Sequence, residues 1–326
     1  LHSTSRRQRQ MCIRDSPISF PPLLNLQSDI DRIEAAEDRD VGEYAAQNWN
    51  EFSIYLGGES KFPNLHKQIP YPVDDSSILP FYDLQAFLSS SDNSYLNTIN
   101  IIGNPFSYPY KAELMDLLYS IPVKKNFYLT ASTACRFIKE IQQIDLPNYE
   151  LYIYYEQEEA SIHHILTEKQ IPFHWIYLIS SEKQYEDLEK LETKYGNEYV
   201  EVHPIYTGDN LPFFEENVYL AEEDILQSNY DKQDIFAHQV MNTNFWGRLS
   251  VLPDGKVYSN LNHPPLGTLK DRVYDLIVDE MTSKRAWRWI RDEVSPCKDC
   301  LFRYLCPSPS NYELVIGKPN LCHVKP

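Results

Sequence analysis

Short apolar runs alternate with segments of helical spacing through the first two thirds of the chain. Six runs rich in β-branched and aromatic residues predict strands, at 52–56, 98–103, 127–131, 150–155, 173–179 and 200–206. Three intervening segments have the spacing of amphipathic helices, at 110–121, 132–144 and 181–196. Strands that alternate with helices predict a parallel sheet with crossover helices. The pattern therefore indicates an α/β fold, a partial (β/α)6 TIM-like barrel that stays open.

The pattern changes near residue 238, where a second and smaller domain is predicted to begin. The stretch "WGRLSVLPDGKVYSN" (246–260) predicts a β-hairpin whose turn is Pro253-Asp254-Gly255. A long helical segment, 270–294, follows it. We therefore divide the chain into a pre-barrel segment at 17–48, a barrel at 49–237 and a cysteine-rich domain at 238–326.

The first sixteen residues, "LHSTSRRQRQMCIRDS", have no periodicity and resemble a translated adapter. We expect residues 1–16 to be non-native and the natural chain to begin upstream. They hold four arginines and one aspartate, so the net charge of −17 becomes −20 without them. Such an acidic chain is a poor partner for nucleic acid, which requires lysine and arginine against its phosphates. A basic peptide or another protein is the expected partner.

Cysteine is sparse until the end of the chain, which is typical of a protein from the reducing cytoplasm. No apolar run reaches the ~18 residues of a membrane span. Four of the six cysteines are Cys297, Cys300, Cys306 and Cys322. A C-x2-C pair followed by two further cysteines can supply four thiolates to one metal centre. Soft sulfur ligands favour zinc or an iron–sulfur cluster, and the spacing does not decide between the two.

These residues carry a resemblance to a known domain. The segments "GRLSVLPDGKVYSN", "CKDCLFRYLC" and "NLC" resemble the SPASM domain, the C-terminal module of radical SAM enzymes that modify peptides. The resemblance implies one 4Fe-4S cluster held by Cys297, Cys300, Cys306 and Cys322. In that family these four positions serve the auxiliary cluster that lies farther from the active site.

Departures from the SPASM pattern concern the nearer auxiliary cluster. Asn260 stands five residues beyond Gly255, where the family has a cysteine, and Ser310 stands where the family has a cysteine after Cys306. The segment before the hairpin, "MNTNFWG", holds no cysteine either. The resemblance thus implies one cluster in this chain rather than two.

The preceding part of the chain resembles a radical SAM barrel. The turn Gly103-Asn104-Pro105-Phe106 is similar to the GGEP-type turn that binds S-adenosylmethionine in the family, but it has no glutamate. The loop at 57–75 stands where the family has C-x3-C-x2-C, and it has no cysteine. Reductive cleavage of S-adenosylmethionine requires the iron–sulfur cluster that those thiolates hold. We therefore expect no cleavage, do not expect the cofactor to bind, and assign no catalytic residue.

The whole pattern over 17–326 resembles the pseudo-radical-SAM proteins of Bacteroidales systems that mature peptides with Gly-Gly leaders. This resemblance implies a catalytically inactive accessory protein that binds a precursor peptide, a partner radical SAM maturase, or both. Two alternatives remain: a redox enzyme or electron relay that serves a partner radical SAM maturase, and a structural zinc-binding module.

Other polar residues receive a structural interpretation. We interpret the following as ordinary surface or helix residues: Glu59, His66, Cys135, Glu156, Glu158, Glu159, His163, His164 and His323.

Overall fold

One mixed sheet organises the protein. The computed structural model describes residues 49–58, 60–90, 95–156, 160–195, 200–283 and 285–324. The strands are β1 Glu51–Leu56, β2 Thr98–Gly103, β3 Lys124–Thr130, β4 Tyr149–Tyr154, β5 Phe173–Ile179, β6 Val200–Pro204, β7 Arg248–Val251, β8 Lys256–Tyr258 and β9 Gly267–Thr268. Their order in the sheet is β6-β5-β4-β3-β2-β1-β7-β8-β9. The strands from β6 to β7 run parallel, and β8 and β9 are antiparallel additions.

Helices connect the parallel strands. The described α-helices are α1 Phe81–Ser90, α2 Lys111–Ser120, α3 Ala131–Arg136, α4 Ile138–Ile141, α5 Ala160–Glu168, α6 Glu182–Tyr195, α7 Leu211–Asn217, α8 Glu222–Leu226, α9 Lys232–Val240, α10 Val273–Thr282 and α11 Asn311–Ile316. Short 3-10 helices lie at Leu65–Lys67, Arg291–Glu293 and Cys297–Asp299. In the described part of the chain, no helix has the length and apolar character that crossing a bilayer requires.

The structure confirms the six predicted parallel strands and corrects two helices. The predicted helix over 132–144 is interrupted at Phe137, which has φ −112° and ψ 26°. The predicted helix over 270–294 ends at Thr282. Beyond that residue the chain turns back, because the Trp287 backbone N–H donates a hydrogen bond of 2.7 Å to the Glu280 carboxylate. Residues 1–48, which include the predicted pre-barrel segment, lie outside the described part.

The predicted hairpin forms, and it extends the barrel sheet. Strand β7 pairs in parallel with β1 from Glu51↔Arg248 to Ile54↔Val251. The sheet therefore runs without interruption from the predicted barrel into the predicted second domain.

The two faces of the sheet differ in chemistry because side chains alternate along a strand. One register row is apolar and fully buried, and it packs under the connecting helices: Ile54, Ile101, Phe127 and Leu151. The preceding row faces the other way and is polar, with Ser53, Asn100, Asn126 and Glu150 side by side. The apolar face is thus the main core, and the polar face lines the barrel interior.

The sheet curls without closing. In a flat sheet the six spacings from β6 to β7 would separate those strands by about 29 Å. Instead, His203 and Pro204 of β6 and Arg248 and Ser250 of β7 line one cavity of about 260 Å³. The open side of the partial barrel therefore lies between β6 and β7, and we call this cavity the side cleft.

Candidate functional site

The loop after β1 fills the barrel mouth, where the carboxyl ends of the parallel strands meet. We call residues 65–71 of this loop the mouth plug. Leu65, Ile69 and Tyr71 are almost completely buried and form one cluster with Tyr154 of β4 and Ile176 of β5. The rings of Tyr71 and Tyr154 pack edge to face at 4.8 Å. The plug thus covers the inner face at the end of the barrel where enzymes of this fold keep their reacting groups.

Hydrogen bonds hold the plug to the strand ends. The Gln68 amide group donates to the carbonyl oxygen of Tyr206 at 2.9 Å and accepts from the Tyr206 backbone N–H at 2.8 Å. The hydroxyl group of Tyr154 donates to the carbonyl oxygen of Pro70. These bonds satisfy polar groups that the plug buries, so its burial leaves little uncompensated desolvation.

The C-terminal region holds the same plug from the other side. The Asn262 side chain donates to the carbonyl oxygen of Lys67 at 2.8 Å, and the Asn311 side chain donates to that of Gln68 at 3.2 Å. Asn311 is the first residue of α11. The plug therefore lies between the barrel and the region that carries the four cysteines.

The turn after β2 packs tightly against the end of β1. Gly103 has φ 111°, and a Cβ atom there would lie 2.8 Å from the Leu56 carbonyl oxygen. A cavity of about 410 Å³ lies beside this turn, with Gly58, Asn104 and Arg136 among its lining residues. Among the described residues no cysteine lines this cavity, so they supply space but no thiolate ligand.

The four predicted metal ligands meet at one place. Cys297, Cys300, Cys306 and Cys322 line one cavity of about 20 Å³. The 3-10 helix Cys297–Asp299 brings the first two cysteines together, and the Cys300 backbone N–H donates to the Cys297 carbonyl oxygen at 2.9 Å. A parallel bridge between Leu220 and Cys322 adds the last one. In the described residues, no three His, Cys, Asp or Glu side chains are grouped as ligands of a single metal ion.

A buried arginine faces the cysteines. Arg291 Nη1 lies 3.8 Å from Cys297 Sγ, and Arg291 Nη2 forms an ion pair of 2.7 Å with Glu313 Oε1. The same guanidinium donates to the carbonyl oxygens of Pro307 and Pro319. Burial lowers the pKa of Arg291, but the Glu313 carboxylate, Cys297 and Cys306 act together in the opposite direction and raise it overall. The cysteine cavity therefore has a fixed positive charge at its wall.

Burial disfavours the thiolate form of the cysteines in the protein alone. It raises the pKa of Cys306 to about 12 and also raises the pKa of Cys297, although Arg291 acts in the opposite direction on both. A metal centre that binds thiolates would displace these protons. Four sulfur donors and one adjacent guanidinium fit an anionic iron–sulfur or zinc thiolate centre.

The two positions that depart from the SPASM pattern lie in the side cleft. Asn260 donates to Asn311 Oδ1 at 2.7 Å. Ser310 also lines the cleft, and it caps α11: its hydroxyl group accepts from the Tyr312 backbone N–H and donates to Glu313 Oε2 at 2.6 Å. Both residues therefore bind other protein groups at places where the resemblance implies lost ligands.

The remaining polar residues have individual roles. His66 is partly exposed and lines the side cleft, and burial together with Lys67 lowers its pKa to about 4. His163 accepts a hydrogen bond of 3.3 Å from Trp175 Nε1, whereas His164 is exposed.

The other predicted surface residues are spread over the molecule. Glu156 pairs with Lys61 and accepts from the Ser132 backbone N–H. His323 Nε2 lies 2.8 Å from the Glu215 carbonyl oxygen, and Cys135 is an exposed residue of α3. Glu59, Glu158 and Glu159 lie outside the described residues. Sequence reasoning missed Arg291 and the mouth plug, because Leu65, Ile69 and Tyr71 follow no helical or strand period that could have indicated the plug.

The fold is similar to that of Streptococcus suis SuiB in two crystal structures. SuiB bound to S-adenosylmethionine has 11% sequence identity to this chain, with a TM-score of 0.55 over 98% of this chain and 85% of SuiB. SuiB bound to precursor peptide SuiA gives 11% identity and a TM-score of 0.52 over 99% of this chain and 87% of SuiB. No protein-family model and no curated protein matches the chain. The likeness concerns the fold.

Proposed function

We propose that this protein is a radical-SAM-like scaffold that binds a ribosomally synthesised precursor peptide during its maturation and does not cleave S-adenosylmethionine. The observation that carries the proposal is the mouth plug. The loop at 57–75 has no cysteine, and its residues 65–71 occupy the carboxyl-end mouth of the partial barrel. A scaffold of this kind keeps the barrel for binding and not for catalysis.

The chemistry of the mouth supports the lack of cleavage. Cleavage of the sulfonium requires a cluster with an open iron site beside the cofactor. The described residues around the cavity beside Gly103 give it polar walls and no thiolate, and the plug residue Gln68 uses its polar groups to bind the barrel. The residues present therefore do not fit the cluster of a radical SAM enzyme.

For the four C-terminal cysteines we propose one 4Fe-4S cluster. The sulfur donors, their shared cavity and Arg291 at its wall support an anionic centre. The cavity of about 20 Å³ is close to the size of one water, so cluster binding requires some of the cysteine side chains to turn outward. A structural zinc ion is the alternative.

The proposed partner is a precursor peptide. The fold is shared with a protein whose structure contains its precursor peptide. The net charge of −17 favours the approach of a basic peptide segment by long-range attraction. A partner radical SAM maturase would then act on the bound peptide.

A second function is favoured by the exposure of the cysteine region. Cys300, Cys306 and Cys322 are partly exposed, and the neighbouring Leu301 side chain is 92% exposed. A redox centre close to the surface can exchange electrons with a partner maturase. Relay of electrons is therefore the second candidate.

Anaerobic purification tests these proposals. We expect about four irons and four acid-labile sulfides per chain, and no 5′-deoxyadenosine above background after incubation with S-adenosylmethionine and dithionite. One zinc per chain without sulfide would exclude the cluster. Formation of 5′-deoxyadenosine would show that the protein cleaves S-adenosylmethionine and would contradict the proposal. Titration with the Gly-Gly-leader peptide encoded nearest to the gene measures the proposed binding. Re-oxidation of the dithionite-reduced protein by a partner maturase measures the electron relay.

A further inference from the structure

We propose that the side cleft binds a short, uncharged stretch of peptide through its backbone amide groups. This deepens the proposed function, on which it rests, because it assigns the peptide to a place other than the plugged mouth. The cleft lies between β6 and β7 and is bounded by the plug and by the start of α11. Its volume of about 260 Å³ suits a short segment of chain rather than a folded partner.

The first argument is the type of polar group in the walls. Four carboxamide side chains line the cleft, namely those of Gln68, Asn244, Asn260 and Asn311. Serine hydroxyl groups lie beside them, at Ser53, Ser250, Ser259 and Ser310. Carboxamide and hydroxyl groups can both donate and accept hydrogen bonds. Gln68 and Asn260 each use one N–H and one oxygen lone pair within the protein, so each keeps one donor and one acceptor site for a peptide group, which presents one of each.

The second argument is charge. Arg248 Nε lies 3.2 Å from Glu51 Oε2, so the two charged side chains of the lining compensate each other. His203 lies 3.5 Å from Glu201. His66 is neutral at physiological pH, because burial lowers its pKa to about 4. A charged ligand would lose hydration without gaining a counter-charge, whereas a neutral ligand has no such cost.

The third argument is the presence of polar groups that the protein does not use. Within the described part of the chain, neither His66 nor Ser250 makes a side-chain hydrogen bond, and both line the cleft. They lie on different elements, the 3-10 helix Leu65–Lys67 and strand β7. A ligand in the cleft can therefore bind to groups on both sides of it.

The test compares three capped peptides of equal length on the intact protein by saturation-transfer NMR and calorimetry. The probes are acetyl-Gly-Ser-Asn-Gly-amide, acetyl-Gly-Asp-Asp-Gly-amide and acetyl-Gly-Lys-Lys-Gly-amide. We expect the neutral peptide to bind at least tenfold more tightly than either charged one. Equal affinity for the three, or no binding of the neutral peptide, would overturn the proposal.

Two variants and two matched controls locate the site. His66→Leu and Ser250→Leu each replace a polar group of the cleft wall by an apolar one, and each should weaken neutral-peptide binding at least fivefold. His164→Leu and Ser283→Leu make the same changes at exposed positions outside the cleft and should leave the affinity unchanged. Near-UV circular dichroism identifies a cleft variant that misfolds. In that case the binding measured for the other cleft variant tests the assignment. Unchanged binding in a folded cleft variant refutes the assignment.

The two proposals fail differently. If the leader-bearing peptide binds and the cleft variants do not weaken it, the proposed function stands and the cleft assignment is wrong. If the neutral capped peptide binds in the cleft and the leader-bearing peptide does not bind, the cleft assignment stands and the proposed partner is wrong.

Discussion

Removal of the Tyr71 ring is the most direct test of the mouth plug. Tyr71 is 1% exposed, and its ring packs against Tyr154 at 4.8 Å and Phe62 at 6.0 Å. Truncating a buried aromatic side chain to alanine costs about 3–5 kcal/mol. Because each 1.4 kcal/mol is a factor of ten, the open form of the plug should become roughly a hundred to a few thousand times more populated in Tyr71→Ala.

Amide hydrogen exchange measures that population directly. The reporters are the backbone N–H groups of Gln68 and Ile69, which donate to the Leu65 carbonyl oxygen at 2.9 and 3.1 Å. In Tyr71→Ala these amides should exchange faster by the stated factor, while the β2 and β3 amides keep their rates. Tyr119→Ala is the matched control, since Tyr119 is 62% exposed and its loss should cost less than about 0.5 kcal/mol.

Two results would refute the reasoning. If Gln68 and Ile69 exchange as slowly as before, the Tyr71 ring does not hold the plug. If their exchange increases only together with that of the central strands, the plug opens only by global unfolding and is not a separate unit of the mouth.

Three further predictions concern the buried ion pair, a buried acid and the β2 turn. Arg291→Met should lower the urea-unfolding free energy by about 3–5 kcal/mol, and adding Glu313→Leu should recover much of that loss; additive losses would contradict the coupling. Burial raises the pKa of Glu280 above its ordinary 4.5. The contribution of this side chain to the free energy of unfolding is therefore complete below pH 4.5 and is lost as the pH rises through the folded-state pKa. Glu280→Gln should therefore gain stability relative to wild type between pH 4 and 8, and a pH-independent difference would contradict this. Gly208 has φ 97° with open space around it, so Gly208→Ala should lower the unfolding free energy by about 1 kcal/mol. Gly103→Ala should cost at least twice as much, because its Cβ atom meets the Leu56 carbonyl oxygen. Equal shifts in melting temperature for the two variants would contradict this steric argument.

The sheet was predictable because its signal is local. Each strand carries an apolar core face, as at Ile54 and Ile101, and side-chain alternation follows from the geometry of the strand itself. The meeting of the four cysteines was predictable in part, since the C-x2-C spacing places Cys297 and Cys300 together. The approach of Cys322 depends on its bridge to Leu220, a contact between residues about a hundred positions apart.

The plug and the continuation of the sheet were not predictable, because both depend on partners distant in sequence. The stretch "LHKQIPY" (65–71) has no helical or strand period, and its three apolar side chains acquire meaning only when β4 and β5 offer a surface. Likewise, "RLSV" predicts half of a hairpin, and nothing in it indicates that β7 also pairs with β1. Long-range pairing is specified by the assembled sheet rather than by the segment.

The proposed metal centre and the barrel mouth are mechanically connected. Arg291 faces the cysteines and pairs with Glu313, and Glu313 also binds the Ser310 hydroxyl that caps α11. The next residue, Asn311, donates to the carbonyl oxygen of Gln68 in the plug. A single carboxylate thus satisfies the buried guanidinium and fixes the helix start that holds the plug. Since an unpaired charge at either end of this pair would be costly, we expect a rearrangement that separates Arg291 from Glu313 to disturb the start of α11 and its contact with the plug as well.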